Sequence, residues 1–199
     1  MPGAWPDGLG RVAAAVALLC FACQKGGAPG QRLASTSDDL VVLPNATAVR
    51  AHGAQLEAVA PDGALRWKLD LKTDEQMVGR LCAAANSAIF VRTNQALRAI
   101  SSEGRWLWQV DLPLERLTYD AALYEPTALT DSSAVVLVDP RSYRAFGVSG
   151  QNRWQFDLPE GERPLAPPRG SPNGHLYVSS DVGIYAVNPE GKLSWRLVR

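Results

Sequence analysis

LEAVAPDGALRWKLDL (residues 56–71) returns without a gap as LRAISSEGRWLWQVDL (97–112), YRAFGVSGQNRWQFDL (143–158) and IYAVNPEGKLSWRLVR (184–199). The third residue of each copy is alanine: Ala58, Ala99, Ala145 and Ala186. Five positions later stands a glycine (Gly63, Gly104, Gly150, Gly191), and four after that a tryptophan (Trp67, Trp108, Trp154, Trp195). An apolar residue lies two beyond each tryptophan: Leu69, Val110, Phe156 and Leu197. The tryptophans are 41, 46 and 41 residues apart, a spacing that marks a repeat architecture.

Within each copy apolar residues alternate before the glycine and again around the tryptophan. Period two is the signature of a strand with one buried face. The polar residues ending in glycine are a hairpin turn, where a positive φ costs glycine little. A further apolar strand precedes three copies, at Ile89-Phe90-Val91, Val135-Val136-Leu137 and Leu176-Tyr177-Val178, with a weaker version, Ala48-Val49-Arg50-Ala51, before the first. An earlier segment such as 39–43 completes the unit. Four strands per repeat make the blade of a β-propeller. The expected fold is all-β, with about four four-stranded antiparallel blades in a small closed ring or a partial propeller. A lone blade cannot bury both faces, so the four tryptophans are expected between blades; stacking of a sugar or cofactor is the weaker alternative. Trp106, two residues before Trp108, is expected on the same face by alternation.

The clearest copy is HLYVSSDVGIYAVNPEGKLSWRL (175–197), entered through LAPPRGSPNG (165–174). It resembles the PQQ-binding-like β-propeller repeat, and the resemblance spans residues 35–199. It implies the fold and leaves the activity open. The family holds quinoprotein alcohol dehydrogenases, the propeller lipoprotein of the outer-membrane assembly machinery and many other exported proteins. Its propellers have seven or eight blades, whereas four repeats fill this chain. The first three copies end in Asp-Leu (Asp70-Leu71, Asp111-Leu112, Asp157-Leu158) and the fourth in Val198-Arg199. An open end would expose an apolar blade face. Two copies completing one ring would cover it; the other expectation is a truncated or partner-dependent fragment. The dehydrogenases of the family use a cofactor-stacking tryptophan, calcium ligands, a base aspartate and, in many members, adjacent cysteines. No Cys-Cys pair occurs here, so no cofactor is expected and a dehydrogenase subunit is the lesser alternative.

Upstream, VAAAVALLCFA (12–22) is an apolar run of eleven residues behind Arg11. A membrane-spanning helix needs about 20, whereas a signal peptide needs only such a run. Ala22 then precedes Cys23 and the flexible QKGGAPG (24–30). LLCFAC resembles a bacterial lipoprotein signal, which implies cleavage after residue 22 and acylation of Cys23. Residues 23–34 then form an anchor and tether, and 35–199 the propeller domain. The position three before Cys23, where that family favours an aliphatic residue, holds Cys20. Gln24 in place of aspartate points to the outer membrane. Cys82 is left alone among the three cysteines and reads as a small buried hydrophobe.

Twenty basic and twenty acidic residues cancel, so no cationic field directs the chain to nucleic acid. His52 and His175 are the only histidines, neither at metal-ligand spacing, and His175 sits in an expected surface turn. No phosphate loop, dinucleotide fingerprint or nucleophile elbow occurs. Asp38-Asp39 and Asp139-Pro140 read as turn residues. Asn45-Ala46-Thr47 matches a glycosylation sequon. The expected function is therefore non-catalytic: a scaffold at the periplasmic face of a bacterial membrane, holding an envelope protein. Trp106, Arg105, Arg141 and Arg144 are the candidate contacts. No metal site is expected.

Overall fold

The computed structural model describes residues 39–114 and 120–198; the segment expected to hold a signal, Cys23 and a tether lies outside the described residues. Four antiparallel four-stranded sheets follow one another along the chain, each a meander. Blade 1 holds β1 (Asp39–Val42), β2 (Ala48–His52), β3 (Gln55–Val59) and β4 (Leu65–Asp70). Blade 2 holds β5 (Cys82–Ala83), β6 (Ile89–Arg92), β7 (Ala96–Ile100) and β8 (Trp106–Asp111). A 3-10 turn, Ala121–Tyr124, leads into blade 3: β9 (Thr127–Ala128), β10 (Ala134–Leu137), β11 (Ser142–Phe146) and β12 (Asn152–Asp157). Blade 4 holds β13 (Arg169–Gly170), β14 (Leu176–Ser179), β15 (Gly183–Val187) and β16 (Leu193–Val198).

The repeat hairpins form where the alternation places them. Each tryptophan pairs across the hairpin with the alanine of its own copy, Ala58 with Trp67 through Ala186 with Trp195. The next pair then skips a residue, so Arg66, Leu107, Arg153 and Ser194 are the extra residues of four equivalent β-bulges. The bulge reverses the expectation for Trp106. Trp106 pairs with Ile100, which packs toward blade 1, and its ring lies 5.0 Å from the Arg98 guanidinium. Trp108 packs toward blade 3.

A second repeat lies in the turns between the first two strands. Asn45, Asn86, Asp131 and Asn173 each accept, through the side-chain oxygen, the amide two residues on: Thr47 (3.1 Å), Ala88 (3.1 Å), Ser133 (3.0 Å) and His175 (3.4 Å). The residue between is left-handed every time: Ala46, Ser87, Ser132 and Gly174, with φ of 60°, 65°, 63° and 81°. An Asx side chain that substitutes for a backbone acceptor holds such a turn. The sequon at Asn45 is thus one of four structural turns.

Three apolar clusters fill three joints. Val49, Leu56 and Ala58 of blade 1 meet Ile89, Val91 and Ile100 of blade 2. Phe90, Leu97 and Ala99 meet Ala134, Val136 and Phe146 of blade 3. Val135, Tyr143 and Ala145 meet Leu176, Val178 and Val187 of blade 4. Full burial of such a side chain is worth about 1.5–3 kcal/mol. Among the described residues no cluster joins blade 4 to blade 1, so of the two expected arrangements the partial propeller is the one that the packing forms.

Candidate functional site

The four tryptophans divide into three and one. Trp67 Nε1 donates to Ser102 O (2.8 Å), Trp108 Nε1 to Val148 O (2.9 Å) and Trp154 Nε1 to Pro189 O (3.0 Å). Each acceptor lies on the following blade, two residues before that blade's turn glycine. The indole also lies flat against that glycine. A Cβ on Gly104 would stand 2.6 Å from Trp67 Cγ, on Gly150 3.0 Å from Trp108 Cδ2, and on Gly191 2.5 Å from Trp154 Cγ. The glycines thus serve twice, for a positive φ of 78–82° and for the close approach of a ring. Trp195 has no blade after it within the described residues; it is exposed and packs on Tyr177 of its own blade, with centroids 5.9 Å apart.

The chemistry gathers on the innermost strands. Val41, Cys82, Thr127 and Arg169 occupy one register, paired with Val49, Phe90, Val135 and Tyr177. Two residues upstream in the same register stand Asp39, Arg80 and Glu125, so the sign alternates from blade 1 to blade 3. The Asp39 carboxylate accepts the Leu81 amide of the next blade. Arg80 Nε lies 3.7 Å from Glu125 Oε1. Gly79, at φ 73°, lets the Glu125 stem pass, since a Cβ there would lie 2.4 Å from Glu125 Cγ.

Burial raises the pKa of Asp39, against the pull of the Leu81 amide and Arg80. Burial likewise raises that of Glu125, against Arg80 and Arg169. The Cys82 thiol is also pushed up by burial, although its sulfur accepts the Ala128 amide at 3.2 Å. A thiol so shifted is a weak nucleophile at neutral pH. Cys82 is half-buried at the inner strand rather than fully buried, and His175 is half-buried, with Nδ1 unpaired, rather than on the surface. Among the described residues no three His, Cys, Asp or Glu side chains converge as metal ligands.

The four contact candidates do not converge. Arg105, in the exposed β7–β8 turn, and Arg141, in the β10–β11 turn, stand at opposite ends of their meanders. The Arg141 guanidinium donates to Leu158 O at 3.0 Å and tethers its own blade. Arg144 Nε donates across the hairpin to Gln155 (2.9 Å), and Trp106 covers Arg98. Reading the sequence missed Asp39 as more than a turn residue, and Arg80, Glu125 and Arg169 altogether. Their signal was a charged residue that opens the inner strand, as Asp39 and Arg169 do, or stands two residues before it, as Arg80 and Glu125 do.

It also missed a carboxylate in each of two connectors, buried at Glu75 and half-buried at Glu162. Glu75 receives Arg98 Nη2 at 2.5 Å, with the two side chains only 1% and 7% exposed. Glu162, at the same separation of 23 residues, accepts the Tyr185 hydroxyl (2.6 Å) and that of Ser180 (2.6 Å). Each fastens the incoming connector to the blade that follows it.

Among solved structures the chain is similar to virginiamycin B lyase from Staphylococcus aureus, with a TM-score of 0.60 and 14% identity over 82% of this chain and 56% of that one. It is similar to BamB from Moraxella catarrhalis, with a TM-score of 0.57 and 15% identity over 79% and 49%. It is also similar to the Pan2 WD40 domain of Neurospora crassa, with a TM-score of 0.55 and 7% identity over 80% and 49%. The fold is a β-propeller's. The chain spans about half the length of these structures. No protein-family model and no curated protein matches it in sequence.

Proposed function

We propose that the protein is a non-catalytic binding scaffold of the bacterial cell envelope, exported and anchored through an acylated Cys23. The observation that carries this reading is the register row Asp39, Arg80 and Glu125 at the inner strands, with Arg169 two positions further on at the start of β13. Two half-buried carboxylates stand there beside two exposed guanidinium groups, held by backbone and glycine packing. Fixed charges of alternating sign select a partner by complementarity and register. The occupant that fits is a polar polypeptide segment carrying charges of the opposite order.

A photo-crosslinking residue at Arg80 or Arg169, in cells, should give the same discrete protein adduct, absent when the probe replaces exposed Lys72. Arg80→Glu should abolish the adduct formed from position 169. Labelling by an alkyne fatty acid should vanish with Cys23→Ser, together with membrane association. Absence of adducts from both inner positions defeats the scaffold reading, and an unlabelled wild type defeats the anchor. A second reading, a part-propeller that works only with further blades, draws support from the half-length match to solved propellers.

A further inference from the structure

Each joint inside the chain has the same parts: an indole, a turn glycine beneath it, and a carbonyl two residues before that glycine. The ends of the array hold the separated halves of a fourth. On blade 4, Trp195 is 47% exposed and Leu197 61%, whereas Leu69, Val110 and Phe156 at the equivalent place are half-buried. Among the described residues no acceptor meets Trp195 Nε1. On blade 1, a Cβ on Gly63 would meet nothing within 4 Å, although its φ of 86° matches the occupied glycines. Pro61, two residues earlier, stands exposed where Ser102, Val148 and Pro189 accept an indole. The same end face bares Val42 (62%), Leu40 and Leu65.

We propose that a second copy of this chain supplies what each end lacks, Trp195 of each entering the slot over Gly63 of the partner subunit and donating to the carbonyl of the partner's Pro61. The two joints are equivalent by a two-fold axis, so the assembly closes rather than growing into a fibre. The length supports closure. The chain covers 49–56% of the propellers it superposes on, so two such arrays make up about one propeller's length. The end differs from the inner joints at Arg50. Arg50 stands where blades 2 to 4 carry Val91, Val136 and Val178, and it is held on Glu57 by two bonds of 2.6 and 3.0 Å. Arg50, Glu57 and Lys68 form a charged row beside the apolar Leu40, Val42 and Leu65, which weakens the joint relative to an inner one and deters other partners. This inference does not rest on the scaffold reading, and either can fail alone.

Sedimentation velocity on the full chain, over about 1–100 µM, decides it. The expected result is a monomer–dimer equilibrium. Trp195→Ala and Gly63→Trp should each weaken it about 30-fold or more, as loss of a central aromatic anchor does. An unchanged thermal midpoint of dilute Trp195→Ala shows that the blade still folds. Mixing the two variants should restore a dimer, because one joint of the mixed pair keeps both an intact Trp195 and an intact Gly63. A monomer at all concentrations, a dimer indifferent to both variants, a mixture that stays monomeric, or an open ladder of larger species each overturns the two-copy ring.

Discussion

At the scale of single residues, one amino acid has different consequences according to its neighbour. Gly63 and Gly104 share a positive φ, but only Gly104 lies beneath an indole. Gly63→Ala should therefore cost about 1 kcal/mol of backbone strain, and Gly104→Ala about 2–4 kcal/mol because the Trp67 ring must also move. Likewise Trp154→Ala, at 9% exposure, should cost about 3–5 kcal/mol, against less than about 1 kcal/mol for Trp195→Ala in the monomer. Urea midpoints at low protein concentration check all four. Charge divides the same way. Asp39 has a folded pKa above 3.8, chiefly through burial, so its ionisation opposes folding. The wild type should be weakest relative to Asp39→Asn at neutral pH and regain stability as pH falls toward 3.8. Glu57 is held below 4.5, first by its hydrogen bond from Arg50. Its stabilisation is complete above 4.5 and lost as pH falls through the folded value, so Glu57→Gln should show the opposite trend. Urea melts of both pairs between about pH 7 and pH 3 test the signs.

At the scale of elements, turns and connectors give each blade its form. Ala46, Ser87 and Ser132 adopt a conformation that blade 4 assigns to Gly174. Ala46→Gly should stabilise by about 0.5–1 kcal/mol, a rare gain from glycine, because relief of left-handed strain exceeds the added chain entropy. The Glu75 connector is more demanding. Glu75→Ala leaves the Arg98 guanidinium buried without its carboxylate and should cost about 3–5 kcal/mol. Glu75→Ala with Arg98→Met should recover much of the loss, since the uncompensated charge has gone. Thermal unfolding of the single and double variants distinguishes a lost charge pair from a lost packing contact.

At the scale of the whole molecule, stability passes from blade to blade, each touching only its neighbours. The outer strand of blade 4, β16, is exposed along its described length, whereas β12 presents the buried Trp154 to the next blade. Hydrogen exchange of the dilute protein should therefore find the amides of β16 less protected than those of β8 and β12. Protection in β16 should rise with protein concentration if the end joint forms. An even pattern that ignores concentration would mean that blade 4 is already as well held as the inner blades.

The sequence by itself determined the all-β class, the hairpins with the strand before each, and the four-fold repeat. These follow from alternation, turn chemistry and a period, all of which are local or recur at a fixed spacing. It misplaced Trp106, because alternation holds only while each residue faces one partner, and the bulge at Leu107 gives Ile100 two. It passed over Asp39, Arg80, Glu125 and Arg169, because their inner strands are two to four residues long and carry too little pattern to align. Only the tertiary structure brought those charges together, and only it separated Trp195 and Gly63 from their counterparts. Both depend on which blade stands beside which, and adjacency in space is what a repeat read along one dimension does not contain.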